Sequence, residues 1–138
     1  MINTVYVIAG PTATGKSDLS ISLAKKVNGA VINSDSMQVY KNLEILTARP
    51  SSSEMKNIDH HLYGYVDGNK RYNVERWCND ATEIIKKTSD NNLTPILVGG
   101  TGLYINTLIN GLIDLPSTPE SIKIESEKIL QEFGKDFL

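Results

Sequence analysis

One run of residues constrains this chain more than any other: Gly10, Pro11, Thr12, Ala13, Thr14, Gly15, Lys16 and Ser17. It matches GxxxxGK(S/T), in which the glycines let the backbone turn tightly enough for several N–H groups to converge on one anion. The pattern carries meaning only between a strand and a helix, and both flanks supply that context. Residues 4–9 (TVYVIA) form a continuous β-branched and aromatic run, suited to a strand buried on both faces. After the run, Leu19, Ile21, Leu23, Ala24 and Val27 recur at roughly a helical period, until Asn28-Gly29 stops the helix. Residues 30–33 begin a second strand, which ends in Ser34-Asp35-Ser36. A strand–loop–helix–strand unit predicts an α/β fold with a parallel sheet and a right-handed crossover. In such a cradle Lys16 supplies a point charge to a phosphate and the Ser17 hydroxyl can hold Mg²⁺. A diphosphate or triphosphate ligand follows; the reaction does not.

Further along, Asn73 is placed to cap a helix through Val74, Trp77, Ala81, Ile84 and Ile85, which ends near residues 90–92. Residues 95–98 (PILV) predict a third buried strand. Gly99, Gly100, Thr101 and Gly102 follow, then a helix through Leu103, Leu108 and Ile109. Residues 39–73 show no clear period. The chain breaks at Leu115-Pro116, after which Thr118 reads as an N-cap, Pro119 as the first helical position and Glu120 as an acidic first turn. That helix puts Ile122, Ile129, Leu130 and Phe133 on one side. It either docks on the sheet or begins a second, helical module. Only three strands precede it, below the usual ~5–6 per sheet, which favours the second reading. The expected division is an α/β core over residues 1–114 and the start of a helical insertion over 115–138.

Composition narrows the class. A net charge of −2 excludes a strongly basic nucleic-acid binder, though a local patch can still hold RNA. The single cysteine, Cys78, can form neither an internal disulfide nor a zinc site by itself, which points to a reducing, cytoplasmic setting. No stretch reaches the ~20 apolar residues that span a bilayer, so no membrane partner is expected. The adjacent His60 and His61 point in different directions in most backbones, so packing or hydrogen bonding is expected of them rather than metal binding. Trp77 sits on a helical apolar stripe and reads as core rather than as a base-stacking platform.

Many ATPases carry a metal-binding Asp at the end of an apolar strand, yet PILV runs into Gly99-Gly100. The carboxylate is instead Asp35, at the end of the second strand. Ligands of open α/β sheets bind beyond the carboxyl ends of the strands, beside that position. Asp35 is therefore either a general base for an acceptor or the cap of the next turn, and spacing does not separate the two. A small P-loop kinase would share all of these features.

The arrangement resembles the tRNA dimethylallyltransferase (tRNA isopentenyltransferase, IPP transferase) family. Besides the cradle, the matching stretches are Asp35-Ser36-Met37-Gln38-Val39-Tyr40, Thr47-Ala48-Arg49-Pro50, His60-His61-Leu62 and the segment from Pro95 to Tyr104, all in family order. The resemblance implies a P-loop NTPase-like sheet flanked by helices, holding dimethylallyl diphosphate at Gly10 to Ser17 with Mg²⁺. It implies Lys16 and Asp35 as catalytic groups, Asp35 taking a proton from the N6 amine of the adenosine 3′ to the anticodon. It further implies tRNA contacts at Asp35, Ser36, Met37, Gln38 and Thr101, and by spacing at Lys123. Gln38 can pair with adenine through N6 and N7, Arg49 is available to help neutralise the diphosphate, and a monomer is expected. Family members run well past this length. Alternatives are therefore the kinase, a cousin that prenylates free adenine nucleotides, and a catalytically silent phosphate-binding piece.

Overall fold

The computed structural model describes residues 4–43, 45–111 and 118–134. Its elements in chain order are β1 (Tyr6–Ala9), α1 (Lys16–Val27), β2 (Gly29–Asn33), β3 (His60–His61), α2 (Val74–Asp90), β4 (Thr94–Gly99), α3 (Gly102–Asn110) and α4 (Glu120–Phe133). The four strands form one parallel sheet in the order β1-β4-β2-β3. The boundary expected near residues 114 and 115, with Leu115-Pro116, lies outside the described residues.

Two expectations change. The first strand is not buried on both faces: β1 lies at a sheet edge with β4 as its neighbour, and Tyr6 and Val7 are 39% and 41% exposed. A fourth strand is present where three were expected, because His60 and His61 pair with Val31 and Ile32. The centre of the sheet is β4 and β2, whose residues from Ala30 to Ile32 and from Ile96 to Val98 are all buried.

Local chemistry explains the helices. Asn28, not Gly29, closes α1 in the left-handed conformation (φ 49°), as Asn tolerates. Gly29 instead opens β2, where an added Cβ would come within 2.6 Å of the Ile96 Cδ1. The Asn73 side chain caps α2 by accepting from the Arg76 N–H at 2.9 Å. Trp77 is fully buried, stacked on Tyr104 at a 4.7 Å centroid distance, and its Nε1 donates to the Asn33 carbonyl at 2.9 Å. It is core, as its stripe predicts, and it ties α2 to the end of β2. On α3 it is Tyr104 and Thr107 that are buried, while Leu103 and Ile109 are exposed.

The last helix does not dock. No α4 residue is buried, and Ile122, Leu130 and Phe133 are 51%, 38% and 54% exposed. Helix α4 starts one position later than expected, with Pro119 as N-cap and no side-chain cap.

Candidate active site

Sheet register brings the cradle and Asp35 to the same place. Ala9 pairs with Gly99 and Asn33 with Val98, so β1 and β2 end on either side of the end of β4. The Gly10 N–H donates to the Gly99 carbonyl at 3.4 Å, and the Ser34 N–H to the Val98 carbonyl at 2.8 Å. Between them β4 ends in Gly99 and is followed by Gly100, two residues without side chains. A Cβ on Gly99 would meet the Ser34 carbonyl carbon at 2.5 Å and the Asp35 nitrogen at 2.7 Å; one on Gly100 would meet the Gly10 carbonyl oxygen at 3.0 Å. The glycines that offer no acid are what let the two flanking loops close together.

The result is a cavity of about 170 Å³ whose walls include Lys16, Ser17, Asp35, Gln38, Tyr63 and Gly99. The loop is built as its glycines predict: Ala13 (φ 62°) and Gly15 (φ 79°) take the left-handed conformation, which turns main-chain N–H groups toward one centre. The Pro11 carbonyl accepts from both the Thr14 hydroxyl and the Lys16 ammonium. An anion entering the cradle therefore competes for Lys16 with that carbonyl. The Ser17 carbonyl accepts from the Ser20 hydroxyl at 2.7 Å, while the Ser17 side chain lines the cavity.

Of its two readings, the turn cap is the one seen directly at Asp35. One carboxylate oxygen, Oδ1, caps the following turn by accepting from the Met37 N–H at 2.8 Å. Asp35 also lines the cavity, together with the cradle residues. The fully buried Asn33 fixes its backbone, accepting from the Asp35 N–H at 2.9 Å and donating to the Asp35 carbonyl at 3.0 Å.

The other sequence candidates separate. Ser36 and Thr101 meet, the Thr101 hydroxyl oxygen accepting from the Ser36 N–H at 2.9 Å. Gln38 lines the cavity, but its amide N–H₂ donates to the Thr47 carbonyl at 2.8 Å and so holds the adjoining loop. Met37 is 48% exposed beside them. Lys123 lies on α4, 3.3 Å from Glu120, and does not line the cavity. Arg49, whose position the sequence left open, donates from Nη1 to the Tyr40 carbonyl at 3.1 Å, and its guanidinium covers Gly64, where a Cβ would lie 1.8 Å from Nη1. It clamps a loop rather than lining the cradle. The His60 Nδ1–H donates to the Ile58 carbonyl, 2.8 Å away. Burial, ahead of the opposing effect of Asp59, holds the His61 imidazole below its usual ionisation range.

The sequence reading missed Tyr63, which lines the cavity. Burial first, and the Asp35 charge second, push its phenol well above the ordinary tyrosine range. Away from the cavity, Tyr65 and Tyr72 both donate to Asp80 Oδ2, at 2.8 and 2.7 Å, and burial raises these phenols too. Above pH ~10 a tyrosine in the unfolded chain loses its proton, whereas these three keep theirs in the native state. The native state then binds more protons than the unfolded one, so stability falls as pH rises further. Thermal melts are expected to show a lower Tm at pH 10.5 than at pH 8, with a smaller drop in Tyr72→Phe. An equal drop in the variant would mean that this hydroxyl ionises normally.

With this geometry in view, the chain matches the IPP transferase family model over residues 38–138, and an isopentenyl transferase model over residues 3–69. The chain belongs to the IPP transferase family. It is 47% identical over 137 residues to the tRNA dimethylallyltransferase of Hyphomonas neptunium, covering 99% of this chain and 43% of that one. It is 51% identical over 115 residues to the enzyme of Pelagibacter ubique, covering 83% of this chain and 37% of that one. Among solved structures it resembles the full-length tRNA isopentenylpyrophosphate transferase of Bacillus halodurans (TM-score 0.79, 37% identity, 95% of this chain and 44% of that one). It also resembles a eukaryotic dimethylallyltransferase acting on tRNA (TM-score 0.78, 38% identity, 95% of this chain and 33% of that one). This IPP transferase chain thus spans less than half the length of the relatives it matches.

Proposed function

We propose that this IPP transferase chain binds dimethylallyl diphosphate in the cradle and serves transfer of its dimethylallyl group to N6 of the adenosine 3′-adjacent to the anticodon in tRNA. The observation that carries the reading is the shared cavity, which Lys16, Ser17 and Asp35 all line. The allylic C–O bond breaks through a cation-like transition state, so the main task is to neutralise the departing diphosphate. Main-chain amides of residues 12–17, the start of α1 and Lys16 do this. As the new C–N bond forms, the N6 amine gives its proton to Asp35.

Mg²⁺ fits the donor set: Ser17 lines the cavity, and its hydroxyl would hold the ion beside phosphate oxygens and water. When bound it neutralises diphosphate charge. Gln38 lines the cavity, and Ser36, next to Asp35, is bonded to Thr101; we assign these three to the acceptor side, which a base reaches only by leaving its stack, at a cost of a few kcal/mol.

The isopentenyl transferase match over residues 3–69 supports a second reading, transfer to a free adenine nucleotide. One experiment separates them: labelled dimethylallyl diphosphate and Mg²⁺ offered with unmodified tRNA or with AMP. Label entering tRNA is expected; label entering AMP alone favours the second reading. Lys16→Ala is expected to weaken diphosphate binding on the order of 10- to 100-fold, as for loss of a charge-assisted contact. An unchanged affinity, read by calorimetry, would show that the ligand does not use the cradle.

A further inference from the structure

We infer that the Tyr63 hydroxyl is a further ligand-binding group of this cavity, donating a hydrogen bond to an oxygen of the diphosphate seated on the cradle. The inference rests on the donor-binding reading above. It starts from the cavity-lining residues that lie outside the cradle loop, among them Asp35, Gln38, Thr47, Ala48 and Tyr63. An ionised Asp35 can only accept. The Gln38 amide donates to the Thr47 carbonyl, and the Thr47 hydroxyl to the Leu43 carbonyl at 2.6 Å. Ala48 has no side-chain donor. Tyr63 is left, and among the described residues no hydrogen bond engages its hydroxyl. Nor is that hydroxyl sealed in: among the described residues the buried side-chain oxygen without a partner is that of Ser34.

The backbone is held against its preference to present this side chain. Leu62 (φ 63°) and Gly64 (φ 54°), on either side of Tyr63, are both left-handed. For leucine that conformation is strained and persists only where neighbours over-determine it. They do so here. The Asn33 side chain donates to the Leu62 carbonyl at 3.0 Å, and the Gly64 N–H to the Gln38 carbonyl at 2.8 Å. Asn33 is the same buried amide that fixes Asp35, so one side chain sets the base and the phenol together. The ring also lies against His60, centroids 5.7 Å apart and tilted by 53°, which limits its swing.

Electrostatics gives the phenol a role the carboxylate cannot fill. Asp35 and a diphosphate repel each other across a small cavity, so the wall beside Asp35 needs a donor that is neutral. Burial and the Asp35 charge keep the phenol protonated, and therefore donating, throughout the working pH range.

Calorimetric titration of the chain with inorganic pyrophosphate and Mg²⁺ tests this, using wild type, Lys16→Ala and Tyr63→Phe. The phenylalanine keeps the ring against His60 and removes only the hydroxyl. The expected result is a dissociation constant raised at least about tenfold in Tyr63→Phe, the usual cost of losing a hydrogen bond to a charged group. Wild-type affinity in Tyr63→Phe together with loss in Lys16→Ala overturns the role of Tyr63 and leaves the cradle standing. No binding by wild type overturns both. A second readout needs no variant: Tyr63 is the tyrosine that lines this cavity, so in wild type labelled at tyrosine ¹³Cζ one resonance should move when pyrophosphate is added. If no tyrosine resonance moves, the contact is absent.

Discussion

Asp35→Asn is expected to lower transfer to tRNA by about 10²–10⁴-fold, the range for losing a positioned general base, with pyrophosphate bound as tightly as by wild type or more tightly, since a charge that repels it is gone. The asparagine separates the two duties of this residue. Its amide oxygen can still accept from the Met37 N–H, so the turn that begins the rim survives. Its amide nitrogen cannot take a proton from the attacking amine. Asp35→Ala removes both, and should add a stability loss of about 1 kcal/mol from the missing cap-type bond. Single-turnover transfer and urea unfolding on both variants give the comparison. If Asp35→Asn transfers at the wild-type rate while Asp35→Ala does not, the carboxylate is a turn cap and the proton leaves by another route.

Much of this site was legible in the sequence, for a physical reason: its main parts are local. The cradle is a short run whose glycine, lysine and serine positions are set by backbone geometry alone. Helix α1 after it and strand β4 carry unambiguous patterns, and Asn73 announces α2 through a contact only three residues long. What stayed hidden is non-local. Residues 4–9 read the same whether their strand is central or at an edge, because sheet order depends on where β4 inserts. The strand His60–His61 has no period to read; pairing with Val31 and Ile32 alone defines it. The charge of Arg49 suits a phosphate but does not place it, because a glycine fifteen positions on, Gly64, is what gives its guanidinium a seat. Tyr63 was missed because a left-handed leucine leaves no mark in sequence. The one available signal was the glycine directly after it.

Placement of Asp35 beside the cradle depends on β4 ending without a side chain, and this makes Gly99→Ala a demanding variant. The added methyl would sit 2.5 Å from the Ser34 carbonyl carbon and 2.7 Å from the Asp35 nitrogen. Those are backbone atoms at the end of a fully buried strand, so no flexible side chain can swing aside. Relief requires β2 and β4 to part, which loosens the Ser34 N–H bond to the Val98 carbonyl and moves Asp35 with it. Overpacking of this kind costs about 1–3 kcal/mol, and a displacement of about 1 Å in a reacting group can cost ~10²-fold in rate. Urea unfolding should therefore show a lower midpoint with an unchanged slope. Transfer should fall by about two orders of magnitude, while pyrophosphate affinity falls less, because the cradle hangs from β1 on the other side of β4. Gly100→Ala is the control: its nearest backbone atom is the Gly10 carbonyl oxygen at 3.0 Å, so its effect should fall on pyrophosphate binding instead. If the two variants lose binding and transfer in the same proportion, the end of β4 does not hold the two halves of the site apart.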